Sequence, residues 1–172
     1  MNLILKNKER LILFATVLLL FNSNLLFAQE TRWIDDIVPD SLQDGLTFKP
    51  CNNNEQIIQY FNNGKGVEYN GGKTAIDSLF FTEYKKVDTD KSGMIRIRFV
   101  INCSGETGRF RVLSGDLNYQ PTLFPDAVTA QLLQITKSMN GWQPKTWKDM
   151  KIDYYQNLIF NIEQGQLINI VV

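Results

Sequence analysis

Between Met94 and Asn102, Ile95, Ile97, Phe99 and Ile101 alternate with Arg96, Arg98, Val100 and Asn102. Strict period two places one set of side chains on each side of a strand, so this run predicts a β-strand with one buried and one polar face. Asn102 to Gly108 reads as a turn, after which Phe110 and Val112 alternate with Arg109 and Arg111. The two runs predict a hairpin with Arg96, Arg98, Arg109 and Arg111 on its open face.

The flanking segments supply the rest of a domain. After Asn70-Gly71-Gly72, the spacing of Ile76, Leu79, Phe80 and Glu83 predicts a helix from Lys73 to Tyr84. A second helix is expected with Pro125 at its first position, Phe124, Val128, Leu132, Ile135 and Met139 as its apolar stripe and Gly141 closing it. Ile152, Tyr154, Leu158, Phe160 and Ile162 mark a long strand, Glu163 to Gln166 a reversal, and Leu167 to Val172 a returning strand. Upstream, Glu30 to Pro50 is irregular, and Asn53 or Asn54 is expected to cap a short helix through Ile57, Ile58 and Phe61 that ends at Asn62-Asn63-Gly64. The fold class read from this pattern is α+β, a small antiparallel sheet of hairpin plus C-terminal strands packed against two helices.

Residues 1–28 read as a secretory signal peptide: Lys6, Lys8 and Arg10 precede an apolar run from Leu11 to Phe21, and Ala28 offers a cleavage point before Gln29. The rival reading is a retained anchor, but the run is about 11 residues where a bilayer span takes about 20. A periplasmic or secreted location is therefore expected. There, Cys51 and Cys103 are expected to form a disulfide, closing a loop of about 52 residues worth roughly 4 kcal/mol in the chain-entropy account. The chain holds 18 basic and 18 acidic residues, and losing the leader leaves a slight acidic excess, which argues against general nucleic-acid affinity. Histidine is absent. Its absence removes the usual general base, the Ser-His and Cys-His nucleophile pairs and most zinc sites.

The turn Asn70-Gly71-Gly72 before a helix, the hairpin Ile97-Arg98-Phe99-Val100-Ile101-Asn102 with Gly105 and Gly108 in its turn, the helix carrying Ala127, the exit Gly141-Trp142-Gln143-Pro144 and the strand Leu158-Ile159-Phe160 together resemble the TonB C-terminal domain. The resemblance spans about Tyr69 to Ile162. It implies a domain over residues 69–172, preceded at 29–68 by an irregular lead with a short helix. It also implies a binding module that pairs a strand edge with a peptide of an outer-membrane transporter. The five prolines are dispersed, so the expectation is a freestanding, exported member without the family's proline-rich spacer.

Other motifs have plainer readings. Gly72-Lys73-Thr74 looks like the end of a P-loop, but Val67 stands where its first glycine belongs, so no nucleotide is expected. Asp88, Asp90, Ser92 and Gly93 match half of a calcium loop whose closing glutamate is replaced by Phe99. No cofactor or metal is expected. Trp142 at a helix exit is either a core plug, the favoured reading, or part of a ligand platform with Trp147. The four arginines either hold an acidic partner or form a solvated face paired with carboxylates such as Glu106 or Asp153. The expected function is protein or peptide binding in the cell envelope, without catalysis, with Arg96, Arg98, Arg109, Arg111 and Trp147 as candidate binding residues and the membrane met only through the export signal. The alternatives are a structural accessory of the envelope, or an enzyme using Asp149, Asp153 and Glu106.

Overall fold

A computed structural model describes residues 36–44, 47–52, 57–59 and 67–172. The expected signal peptide at 1–28 lies outside the described residues. The elements run β1 (Ile57–Gln59), α1 (Gly72–Glu83), β2 (Gly93–Ile101), β3 (Thr107–Gly115), α2 (Asp126–Ser138), β4 (Lys145–Trp147), β5 (Met150–Glu163) and β6 (Gln166–Val171). Among the described residues no helix is long and apolar enough to cross a membrane.

Among the described residues the fold is α+β, with six strands in a mixed sheet and two helices. The long strand β5 is its axis. Antiparallel β2 runs along one side of β5 and β3 lies outside β2. The other side of β5 is shared, with β1 parallel to Asp153–Tyr155 and β6 antiparallel to Ile159–Glu163. The expectation of a purely antiparallel sheet is corrected by β1. The short helix expected around Ile57 and Ile58 is corrected too, because those residues are strand. An isolated short helix is marginal in water; here the edge of β5 accepts the backbone hydrogen bonds, and Ile57 buries itself against Ile37, Val100 and Tyr155. The expected caps and terminator of that helix lie outside the described residues.

Period two is realised as read. Ile95, Ile97, Phe99 and Ile101 on β2 join Tyr154, Leu158 and Phe160 on β5 beneath both helices. Ile76 and Phe80 of α1 and Val128, Leu132 and Ile135 of α2 fill the other side of this core, with Phe80 against Phe160 at a ring distance of 4.7 Å. Pro125 stands immediately before α2 as its N-cap rather than in its first turn, and Gly141 does not end the helix. Met139 closes the helix in extended conformation, and the missing Cβ of Gly141 serves packing, since one would lie 2.9 Å from the Tyr69 ring. Trp142 is buried between Tyr69 and Phe99 at 5.0 and 5.3 Å, the plug of the two readings offered for it.

Two strands have features that the apolar pattern alone does not convey. β4 pairs with the start of β5 through Lys148 and Asp149, both with positive φ, a two-residue hairpin turn. β6 returns along β5 as expected, with its register skipping Ile168 as a bulge.

Candidate interaction face of the sheet

The sheet face turned away from the helices carries the candidate residues. Direct cross-strand partners share a face, so the register sorts this face into rows. One row is Leu113, Arg96, Ile159 and Val171; the next is Arg111, Arg98 and Asn157; a third is Gly108, Val100, Tyr155 and Gln59. Arg109 is the exception among the four arginines. It sits in a β-bulge opposite Phe99, with φ at 57°, where the register between Arg98 and Val100 shifts.

The chain's own lead covers half of this face. Ile37, Phe48, Ile57, Val100 and Tyr155 pack into a second small core, and the Ile37 amide donates to the Tyr155 hydroxyl at 3.3 Å. Phe48 lies where Gly108 leaves room, since a Cβ on Gly108 would fall 2.1 Å from the ring. Arg111 grips Asp44 with both terminal nitrogens and donates to the Val38 carbonyl at 2.7 Å. Burial pushes the Asp44 carboxyl up, but the Arg111 hydrogen bond, the Asp40 amide and the charges of Arg111 and Arg109 outweigh it and hold the group below its ordinary value of 3.8. Arg98 is buried, its guanidinium 4.3 Å over the Tyr155 ring and donating to Gln59 at 2.6 Å.

The lead is pinned at one end of the sheet. Cys51 and Cys103 form a disulfide with Cα atoms 5.9 Å apart. Beside it the fully buried Asp153 carboxylate accepts the Asn52 amide on one oxygen and the Cys103 amide on the other, each at 2.8 Å. The carboxylate thus clamps both segments that the disulfide joins. Cys51, Cys103 and Asp153 bring their ligand atoms within 4.8 Å of one another, but two sulfurs bonded to each other offer no thiolate to a metal.

The open-face expectation is therefore corrected for Arg98 and Arg109, which are buried, and for Arg111, which the lead engages. The carboxylate that Arg111 pairs with is Asp44. Glu106 instead accepts from the Asn102 side chain at 2.7 Å within the hairpin turn. Asp149 stands exposed at the β4–β5 turn, away from the buried Asp153 clamp. Among the described residues the lead packs on the rows of Arg98 and Val100, while in the row of Arg96 the side chains of Arg96 and Ile159 are half-buried between exposed Leu113 (56%) and Val171 (45%). Trp147 is separate. It stands exposed across from Met150 at the start of β5, with the Lys148 ammonium 4.8 Å over its ring.

Asp44, Leu113, Ile159 and Val171 are the participants that sequence reading missed. Leu113 was within reach, since it lies two positions beyond Arg111 and so falls on the same face. Compared with protein families, curated proteins and solved structures, the chain matches none of them.

Proposed function

We propose that the protein is an exported, non-catalytic interaction module of the cell envelope, built on a domain resembling the TonB C-terminal domain, that holds a protein partner on the uncovered half of its sheet. The observation that carries this reading is the row Leu113, Arg96, Ile159 and Val171. It is apolar with one cation at its centre, and it lies on a face whose other half needs a clamped lead to cover it. An apolar row with arginine as its one charged residue fits the core of an interface, where charged residues are depleted and arginine is enriched.

The edge of β5 is a poor candidate for the strand pairing that the resembled family uses, because β1 and β6 already occupy much of it. A folded partner laid across the open row is the better fit. The disulfide supports a location in an oxidising compartment.

The test is photocrosslinking in intact cells from a reactive residue at Leu113, with the same residue at exposed Ser78 on α1 as comparator. A discrete protein adduct from position 113, absent from 78 and lost in a Val171→Asp background, is expected. Equal adducts from both positions, or an adduct indifferent to Val171→Asp, would defeat the proposal.

A further inference from the structure

The arm that precedes Cys51 is held differently from the rest of the lead. β1 joins β5 by ladder hydrogen bonds. Among the described residues of 37–50 there is neither helix nor strand, and no backbone-to-backbone hydrogen bond ties them to the domain. Their hydrogen bonds to it run through domain side chains. The Ile37 amide donates to the Tyr155 hydroxyl, the Val38 carbonyl accepts from Arg111, and the Lys49 carbonyl accepts from the Asn102 side chain at 3.1 Å. The arm can therefore lift without breaking one rung of the sheet. A segment with no ladder and few buried contacts opens at low free energy.

Beneath the arm lie three shaped seats. Arg111 presents both terminal nitrogens to a carboxylate, filled by Asp44. Gly108 leaves a notch for an aromatic ring, filled by Phe48. Val100 and Tyr155 offer an apolar seat, filled by Ile37. A local turn aims the carboxylate, since the Asp40 side chain accepts the Leu42 amide and the Asp40 amide donates to Asp44 at 2.7 Å. Between the seats the arm faces solvent, with Leu42 96% exposed and Val38 42%. Three side chains therefore carry the recognition.

We infer that these seats form a second binding groove, for a protein segment carrying a carboxylate and an aromatic ring spaced as Asp44 and Phe48 are, and that the arm is its displaceable resident. The chemistry of the ligand is that of the occupant already seated. Cys51 stays bonded to Cys103 when the arm lifts, so the arm remains close by. A short tether of this kind gives its segment an effective concentration of roughly millimolar. An incoming segment must match the arm to win the groove. A merely apolar segment would leave the Arg111 guanidinium without its carboxylate, which selects against it.

The row of Arg96 takes no part in this groove, so the crosslinking test above and the present one fail independently. The probe is a synthetic peptide of residues 36–50 with a fluorophore at its N-terminus, titrated by anisotropy against the disulfide-bonded mature chain. In a second protein, Asp44→Ala with Phe48→Ala weakens the resident arm and leaves Arg111 and Gly108 in place. That protein should bind the peptide at least about tenfold more tightly than the unchanged chain, because apparent affinity scales with the fraction of grooves that stand empty. Adding Arg111→Ala to it, or changing the peptide's own Asp44→Asn, should weaken binding about tenfold or more, as expected for losing hydrogen bonds between charged groups. Slow hydrogen exchange along β2 and β5 should persist in the arm variant, showing that the sheet stands without a seated arm. Absence of peptide binding to the arm variant, equal binding by both proteins, or binding indifferent to Arg111→Ala would overturn the inference. Loss of protection throughout β2 and β5 would also overturn it, by making the arm part of the core rather than an occupant.

Discussion

Asp153→Asn exposes how the lead is fastened. The buried carboxylate uses both oxygens on backbone amides of half-buried residues, Asn52 at one and Cys103 at the other. An asparagine supplies one acceptor and must aim its NH2 at the second amide, leaving two donors facing each other beside the buried side chain. One charge-assisted bond is lost, worth about 1.5–3 kcal/mol, and one buried donor goes unsatisfied at about 1–3 kcal/mol. Allowing for local relaxation, a loss of roughly 3 kcal/mol is expected, which for a domain of this size lowers Tm by about 10 °C. Urea unfolding followed by tyrosine and tryptophan fluorescence measures it, with an unchanged m value showing that the denatured state is not the cause. The disulfide remains intact in the variant, so faster hydrogen exchange at the amides of Asn52 and Cys103 should accompany the loss. A change below about 1 kcal/mol would refute the clamp.

Replacing both cysteines by serine removes a cross-link spanning 52 residues and should destabilise the domain by roughly 4 kcal/mol in denaturant titrations, on the chain-entropy account. Gly108→Ala should force Phe48 off the sheet and cost about 1–3 kcal/mol, with Phe48 ring resonances losing their contacts to Val100 as the accompanying sign in NMR spectra. Because the folded-state pKa of Asp44 is depressed below 3.8, its contribution to stability is complete above that value and is lost as pH falls through the lower, folded one. Asp44→Asn should therefore flatten the most acidic part of the stability profile in acid titrations of unfolding and leave the pH dependence near neutrality unchanged.

Local periodicity carried most of the reading that held. β2 and β3 declare themselves because one face is buried under helices, which forces alternation, and both helices show stripes of spacing three and four. What failed was non-local. Nothing in Ile57 and Ile58 says that β5 will offer them an edge, and a parallel pairing between residues about a hundred positions apart leaves no local mark. The arginines read as an open face, whether solvated or partner-binding, because alternation tells which face a residue occupies but not what covers that face. Asp44 sits in an aperiodic segment, so its role depends wholly on the tertiary path of the lead. Trp142 was legible as a plug from its place at a helix exit. Gly141 misled because a glycine after a helix usually marks its end, whereas here the constraint is the Tyr69 ring.

The most direct test of the account is whether one half of the outer sheet face is covered and the other is open. A water-soluble paramagnetic agent added to methyl-labelled mature protein reads this residue by residue in NMR spectra. The methyls of Leu113 and Val171 should broaden strongly, while those of Ile37, Ile57 and Val100 should be nearly untouched. Equal broadening of Val100 and Leu113 would mean that the lead does not cover the sheet, and protection of Leu113 and Val171 in the isolated protein would mean that there is no open row for a partner.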